Sequence, residues 1–225
     1  LTVGKNLSAS IKAGDGHPSF DKTDITFNPL SGEISITRPT PGIKMFTSPG
    51  ADTFTMPDGI SYVKFYVTGS GAAGGNRTGN AGSTAIGYLS ARPGTIFPLA
   101  IATPPAAENG AYGNPSSISQ PAADGTDVIV TAPGGTSGNN SPATPTVGVS
   151  VYLPTETITI KGGIGNVDTN HHSGLEEGLG GSSFWGGNPA WGGGQASHGG
   201  GTRYVPRGVR AGPLPSAGII LFEWN

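Results

Sequence analysis

Glycine and proline interrupt this chain so often that a helix has almost nowhere to form. The longest stretch free of both is ten residues, Ser19 to Asn28, and it alternates as a strand does. A proline costs a helix interior about 3 kcal/mol and a glycine about 1 kcal/mol, so position after position disfavours helix. Alternating β-branched and aromatic residues mark strands instead. They predict strands over 6–12, 23–28, 33–38, 61–68, 84–91, 95–102, 127–131, 148–153, 157–161 and 218–223. "FNPLSGEI" (27–34) reads as a hairpin turn through Pro29 and Gly32, and "SARPGTIF" (90–97) reads the same way through Pro93 and Gly94. Many short strands with regular turn signals define the expected class. It is all-β, an antiparallel, jelly-roll-like β-sandwich with essentially no helix.

Forty glycines and 20 prolines among 225 residues would ordinarily suggest low complexity. Disorder also calls for high charge and few aromatics. Here 12% of residues are charged and 34% are hydrophobic, so an ordered, loop-rich protein is expected. The formal charge is −2 with no basic block, which argues against nucleic acid as a partner. Cysteine is absent, which excludes disulfides and cysteine zinc sites. No apolar stretch is long enough to span a bilayer as a helix, and the N-terminus lacks a signal-peptide pattern; no membrane insertion is expected. The chain opens on Leu1 rather than Met, as a piece of a longer protein would. "RPTPG" (38–42) is stiff and unpaired. It places a boundary between a strand-rich connector, 1–42, and a glycine-rich sandwich, 43–225.

The second half is denser in glycine, with 17 in the 51 residues from Gly162 to Gly212. The clusters lack the strict three-residue repeat of collagen, and a flexible linker would rarely carry "FWGGNPAW". Glycine used for packing is the expectation. Backbone without side chains can run as extended, polyglycine-II-like segments that bond directly to one another.

"GSGAAG" (69–74) matches the dinucleotide fingerprint G-x-G-x-x-G. That motif needs a strand before it, a helix opening on its last residues and an acid about 20 residues on. The strand is there. The next residues, "GNRTGNAGSTAIG", have no helical period, and no Asp or Glu occurs between Gly59 and Ala107. No nucleotide, and no other cofactor, is expected.

The arrangement around that motif, "FTMPDGISYVKFYVTGSGAAGG…GSTAIGYLSARPGTIFPLAIA", resembles the glycine-rich domain at the distal ends of bacteriophage tail fibres. There an aromatic-Thr-x-Pro-x-Gly turn leads into a strand that ends in a glycine cluster. A second glycine-bounded strand, a Pro-Gly turn and another strand come after it. "GPLPSAGIILFEWN" resembles that family's closing strand. The likeness spans about residues 46–225 and is most marked at 54–102 and 212–225. A more distant one is to the tip adhesins of T-even-type phages, whose polyglycine segments pack as a sandwich bearing receptor loops; the clusters here are shorter and broken by polar residues. The resemblance implies a receptor-binding domain at the tip of a virion's tail fibre, assembled in the host cytoplasm. It further implies a homotrimer whose partners are the fibre shaft or other tail proteins, and a bacterial surface polysaccharide or outer-membrane protein.

The residues themselves offer little catalysis. Glu176 and Glu177 are adjacent, so on an extended chain they point to opposite faces, and Asp168 stands apart; a glycosidase needs two acids about 5–10 Å apart. His171, His172 and His198 lack a metal-ligand spacing. Ser182, Ser183 and Ser197 lack the strand–turn–helix setting of a nucleophile elbow. No enzyme is expected and no metal. Loop aromatics are more informative, because flat rings stack on sugar faces while Asn and Arg bond hydroxyls or acids. Trp185, Asn188, Trp191, Arg203, Tyr204, Arg207 and Arg210, with Tyr112 in another loop and the histidines His171, His172 and His198, make the candidate receptor-contacting set. For Trp185 and Trp191 a second reading stays open, that they cover the glycine packing as a local core. The leading expectation is a non-enzymatic binding module; the alternatives are a structural virion component and a glycan depolymerase.

Overall fold

The computed structural model describes residues 24–28, 33–37, 40–73, 79–105, 111–122, 125–136, 143–168, 177–186 and 215–225. The described residues are all strand, turn and extended chain, in two five-stranded antiparallel sheets and two small two-stranded ones. One large sheet orders β11 (Ile158–Ile160), β6 (Thr84–Ser90), β5 (Tyr62–Thr68), β14 (Ile219–Trp224) and β3 (Gly42–Phe46). The other orders β10 (Thr146–Val147), β9 (Gly125–Ala132), β8 (Ser116–Ala122), β7 (Ile96–Ile101) and β4 (Gly50–Thr55). β1 (Asp24–Asn28) pairs antiparallel with β2 (Glu33–Thr37), Asn28 opposite Glu33; the turn residues Pro29 and Gly32 lie outside the described residues. β12 (Asn166–Asp168) pairs with β13 (Glu177–Leu179).

Alternation decides which side of each strand meets the other sheet. β5 buries Val63, Phe65 and Val67 and leaves Tyr62, Lys64 and Tyr66 half-buried on the outside. Phe54 from one sheet stacks on Phe222 from the other, with ring centroids 3.8 Å apart. Leu89, Phe97, Ile118, Ile129 and Ile220 fill the rest of this core.

Two expectations need correction. Residues 148–153 do not form a strand. Gly148 N–H still bonds Ile129 C=O, but the chain then folds so that Leu153 N–H meets Ser150 C=O. Tyr152 sets its ring edge-on against Phe97 at 5.3 Å, while Val149 and Val151 face solvent. β-branched alternation describes residues that suit a pleated surface; it cannot supply a partner strand. The Pro-Gly turn is present, with Thr95 N–H on Arg92 C=O and Gly94 at φ +80°. It is not a hairpin, however, because β6 and β7 belong to different sheets. Turn chemistry fixes the local reversal, and burial decides which strand each arm joins.

At one end of the sandwich the packing changes. The five consecutive N–H groups of 69–73 bond in turn to carbonyls of Ser83, Asn114, Ser216, Asn80 and Ala111. Ser70 and Ala73, three apart, point to the same neighbour, 111–114, while Gly71 and Ala72 point to two others. Asn80 and Ser83 likewise both meet 133–136, and Ala81 between them meets Gly163. A direction that recurs every third residue is the signature of extended three-residue-per-turn chain. Segments 69–73, 79–83, 111–114, 133–136, 162–165 and 180–183 thus form a backbone-bonded bundle, with Ser216 joining its side. Glycine sits where no side chain fits. A Cβ on Gly135 would strike the Asn80 carbonyl, one on Gly162 the Ala81 carbonyl, and one on Gly181 the Gly163 carbonyl.

Candidate recognition site

Thr68 lies opposite both Thr84 and Ile219, Thr84 opposite Ile160, Ser116 opposite Ala132 and Thr131 opposite Thr146. Ser116 Oγ donates to Thr68 C=O at 2.8 Å, joining the two sheets at this level. These registers place the roots of four excursions, 69–83, 102–115, 133–145 and 161–218, at one end. Each root runs through the bundle before or after its excursion, so the backbone bonds fix where the chain leaves and returns.

Most of the expected receptor residues belong to these excursions. Tyr112 sits beside Gly113 of the bundle and is 61% exposed. Its neighbours are tied down: Gly113 N–H bonds Gly135 C=O, and Asn114 bonds Ser70 and Thr103. His171, His172, Asn188, Trp191, His198, Arg203, Tyr204, Arg207 and Arg210 lie outside the described residues.

Trp185 is placed half-buried, directly after the bundle segment 180–183. The turn Ser183–Gly186 is closed by Ser183 N–H to Gly186 C=O and Gly186 N–H to Ser183 C=O, at 2.9 and 3.1 Å. It lays Trp185 on the outer face of the β5 sheet. The indole N–H donates to Thr68 Oγ1 at 2.9 Å, and the ring lies 5.8 Å from Tyr66. Phe184, at the same turn, stays 45% exposed, its ring 5.9 Å from Tyr66 and inclined 29° to it.

This outer face carries a cluster absent from the expected set. Tyr66 Oη donates to Glu223 Oε1 at 3.0 Å, and Lys64 Nζ pairs with the same oxygen at 3.3 Å. Lys64 also lies over the Tyr66 ring, 4.8 Å from its centroid. The Tyr66 hydroxyl first, and Glu223 after it, raise the Lys64 ammonium above its ordinary value, against partial burial that lowers it. Tyr62 and Tyr88 pair 5.5 Å apart beside them, and burial pushes the Tyr62 phenol up. A sequence signal exists: in "YVKFYV" every second residue is Tyr, Lys, Tyr, an outward face suited to contact.

Residues 69–73 of "GSGAAG" are described, and Gly74 lies outside the described residues. A phosphate cradle needs unspent backbone N–H groups, and all five donors of 69–73 are committed to protein carbonyls. Among the described residues no three His, Cys, Asp or Glu side chains converge on a metal position, and no helix is long and apolar enough to cross a membrane. No protein-family model matches the chain, and no curated protein matches it.

Proposed function

We propose that the chain is the non-enzymatic, receptor-recognising tip domain of a phage tail fibre. In this reading the excursions at the glycine end meet a polysaccharide or outer-membrane protein of the bacterial surface, and the 1–42 segment joins a trimeric shaft. One observation carries it: four excursions are rooted at one end in a bundle whose backbone groups bond one another. A stiff base removes part of the ordering cost that a loop otherwise meets on binding, and the bundle leaves no donor of 69–73 for nucleotide chemistry. The resemblance of residues 54–102 and 212–225 to fibre-tip domains supplies the biological setting.

The test is adhesion of the purified chain to intact bacteria across a panel of hosts. Wild type binds at least one host, and Tyr112→Ala, Tyr204→Ala and Arg207→Ala each weaken adhesion without lowering the melting temperature. Absence of adhesion to every host, or full adhesion by all three variants, overturns the reading.

A further inference from the structure

We infer that the outer face of β5, β6 and β14 is a binding platform for a neutral saccharide chain, with Phe184, Tyr66 and Tyr88 as stacking rings and Lys64 with Glu223 as the hydrogen-bonding pair. The platform stands on a sheet face, apart from the loop tips invoked above.

Three features point to a ligand. Phe184 is the most exposed aromatic of the face, yet it is fixed by the doubly bonded Ser183–Gly186 turn and by its 5.0 Å contact with Trp185. An apolar ring held rigidly in water gains by being covered. Second, the rings continue along the strand, since Tyr62 and Tyr88 lie on the same face as Tyr66. Tyr62 and Tyr66 stand four residue steps apart along the strand, about 13 Å, which is longer than one sugar ring. Third, polar groups of both kinds stand between the rings: the Lys64 ammonium as donor and the Glu223 carboxylate as acceptor, 3.3 Å apart.

The same features select among ligands. The pair is self-neutralising, so an acidic polymer finds no uncompensated positive charge. β5 and β14 are paired on both sides, and β6 pairs β5 along its length and β11 over 84–86, so the face itself presents no strand edge to which a peptide could add. Recognition must run through side chains alone. Ring faces with interleaved donor and acceptor suit a molecule that has C–H faces and many hydroxyls.

The experiment is calorimetric titration of the full chain with maltoheptaose, cellohexaose, mannohexaose and galactohexaose, and with polygalacturonate as the acidic probe. At least one neutral oligosaccharide binds, at one site, in preference to polygalacturonate. Phe184→Ala and Tyr66→Ala each weaken it about tenfold, the scale of one aromatic contact, while Tyr112→Ala leaves it unchanged. Phe184 sits at an exposed turn, so this variant keeps the wild-type circular dichroism spectrum. Failure of all four neutral chains, preference for the acidic one, or undiminished binding by both ring variants overturns the platform. Host adhesion separates the two proposals: Phe184→Ala that loses oligosaccharide yet adheres leaves the tip reading standing, and Tyr204→Ala that loses adhesion yet binds oligosaccharide leaves the platform standing.

Discussion

The body of the sandwich and its glycine end exclude water by opposite means. In the body, Phe54, Phe65, Phe97 and Phe222 fill the space between the sheets and are fully buried. At the glycine end, Gly69, Gly113, Gly134 and Gly135 sit so close to neighbouring carbonyls that there is no space for a side chain. One region is held by apolar area, the other by backbone bonds sent in three directions. The lesson is an inverted tolerance: the body suffers when atoms are removed, and the bundle suffers when they are added.

The largest expected effect tests the body. Phe222→Ala removes the ring stacked on Phe54 and met edge-on by Phe46 at 6.1 Å; the expected cost is about 3–5 kcal/mol, read as a shift in urea midpoint. Phe222→Leu keeps most of the volume and costs much less. The bundle predicts the reverse asymmetry. Gly135→Ala adds one methyl group, yet its Cβ would meet the Asn80 carbonyl and Ala72 N, both backbone and unable to swing away. About 3 kcal/mol, the upper end of ordinary overpacking, is expected. Gly94→Ala is the comparison, because nothing lies within 4 Å of its Cβ and only the φ of +80° opposes it, at about 1–2 kcal/mol. If Gly135→Ala costs no more than Gly94→Ala, the backbone contacts do not constrain the end and the comparison fails.

How much of this is legible in the sequence differs between the same two regions. The strong strands of the body are legible nearly in place: 61–68 and 84–91 correspond to β5 and β6, and 218–223 to β14. Their Val, Phe and Ile alternation is intrinsic to the residues. β4 ("GADTFT") and β8 ("SSISQPA") are not legible, because Gly, Asp, Ser and Pro carry little strand preference and the pairing with β7 and β9 supplies what they lack. Glycine density predicts packing within 162–212, and 162–165 and 180–183 do belong to the bundle. Its other members, 69–73, 79–83, 111–114 and 133–136, hold Ser70, Ala72, Asn80 and Thr136 among their glycines, so the density signal is thin there. Three-residue geometry demands a missing side chain only where a neighbour is closest, and sequence does not show which position that is. Trp185 can be read as exposed or as buried for a related reason: its partners Thr68 and Tyr66 are more than a hundred residues away.

That contact links the two regions, and its loss should be smaller than either packing change. Trp185→Phe keeps a ring against Tyr66 and Phe184 but removes the indole donor to Thr68 Oγ1. Thr68 Oγ1 retains Thr84 Oγ1 at 2.9 Å, so no buried group is orphaned and about 1 kcal/mol is expected. Trp185→Ala also loses the ring and should cost clearly more. Equal losses in the two variants would show that the hydrogen bond, and not the ring, holds the turn to the sheet.

The smallest effect belongs to the face of the body that carries charge. Lys64 is raised above 10.5, first by Tyr66 and then by Glu223. A cation raised in the folded state stabilises fully below its unfolded value, and that contribution is lost as pH climbs through the higher folded one. The burial-raised Tyr62 phenol acts in the same direction above 10.0, since folding then opposes its ionisation. Wild type should therefore lose stability more steeply than Lys64→Met above about pH 10, by less than about 1 kcal/mol for so exposed a pair. Because 1 M salt shortens the screening length to about 3 Å, the difference between the two proteins should shrink there. Parallel urea midpoints from pH 8 to pH 11.5 at low salt would mean that the Lys64–Glu223 pair adds nothing to folding.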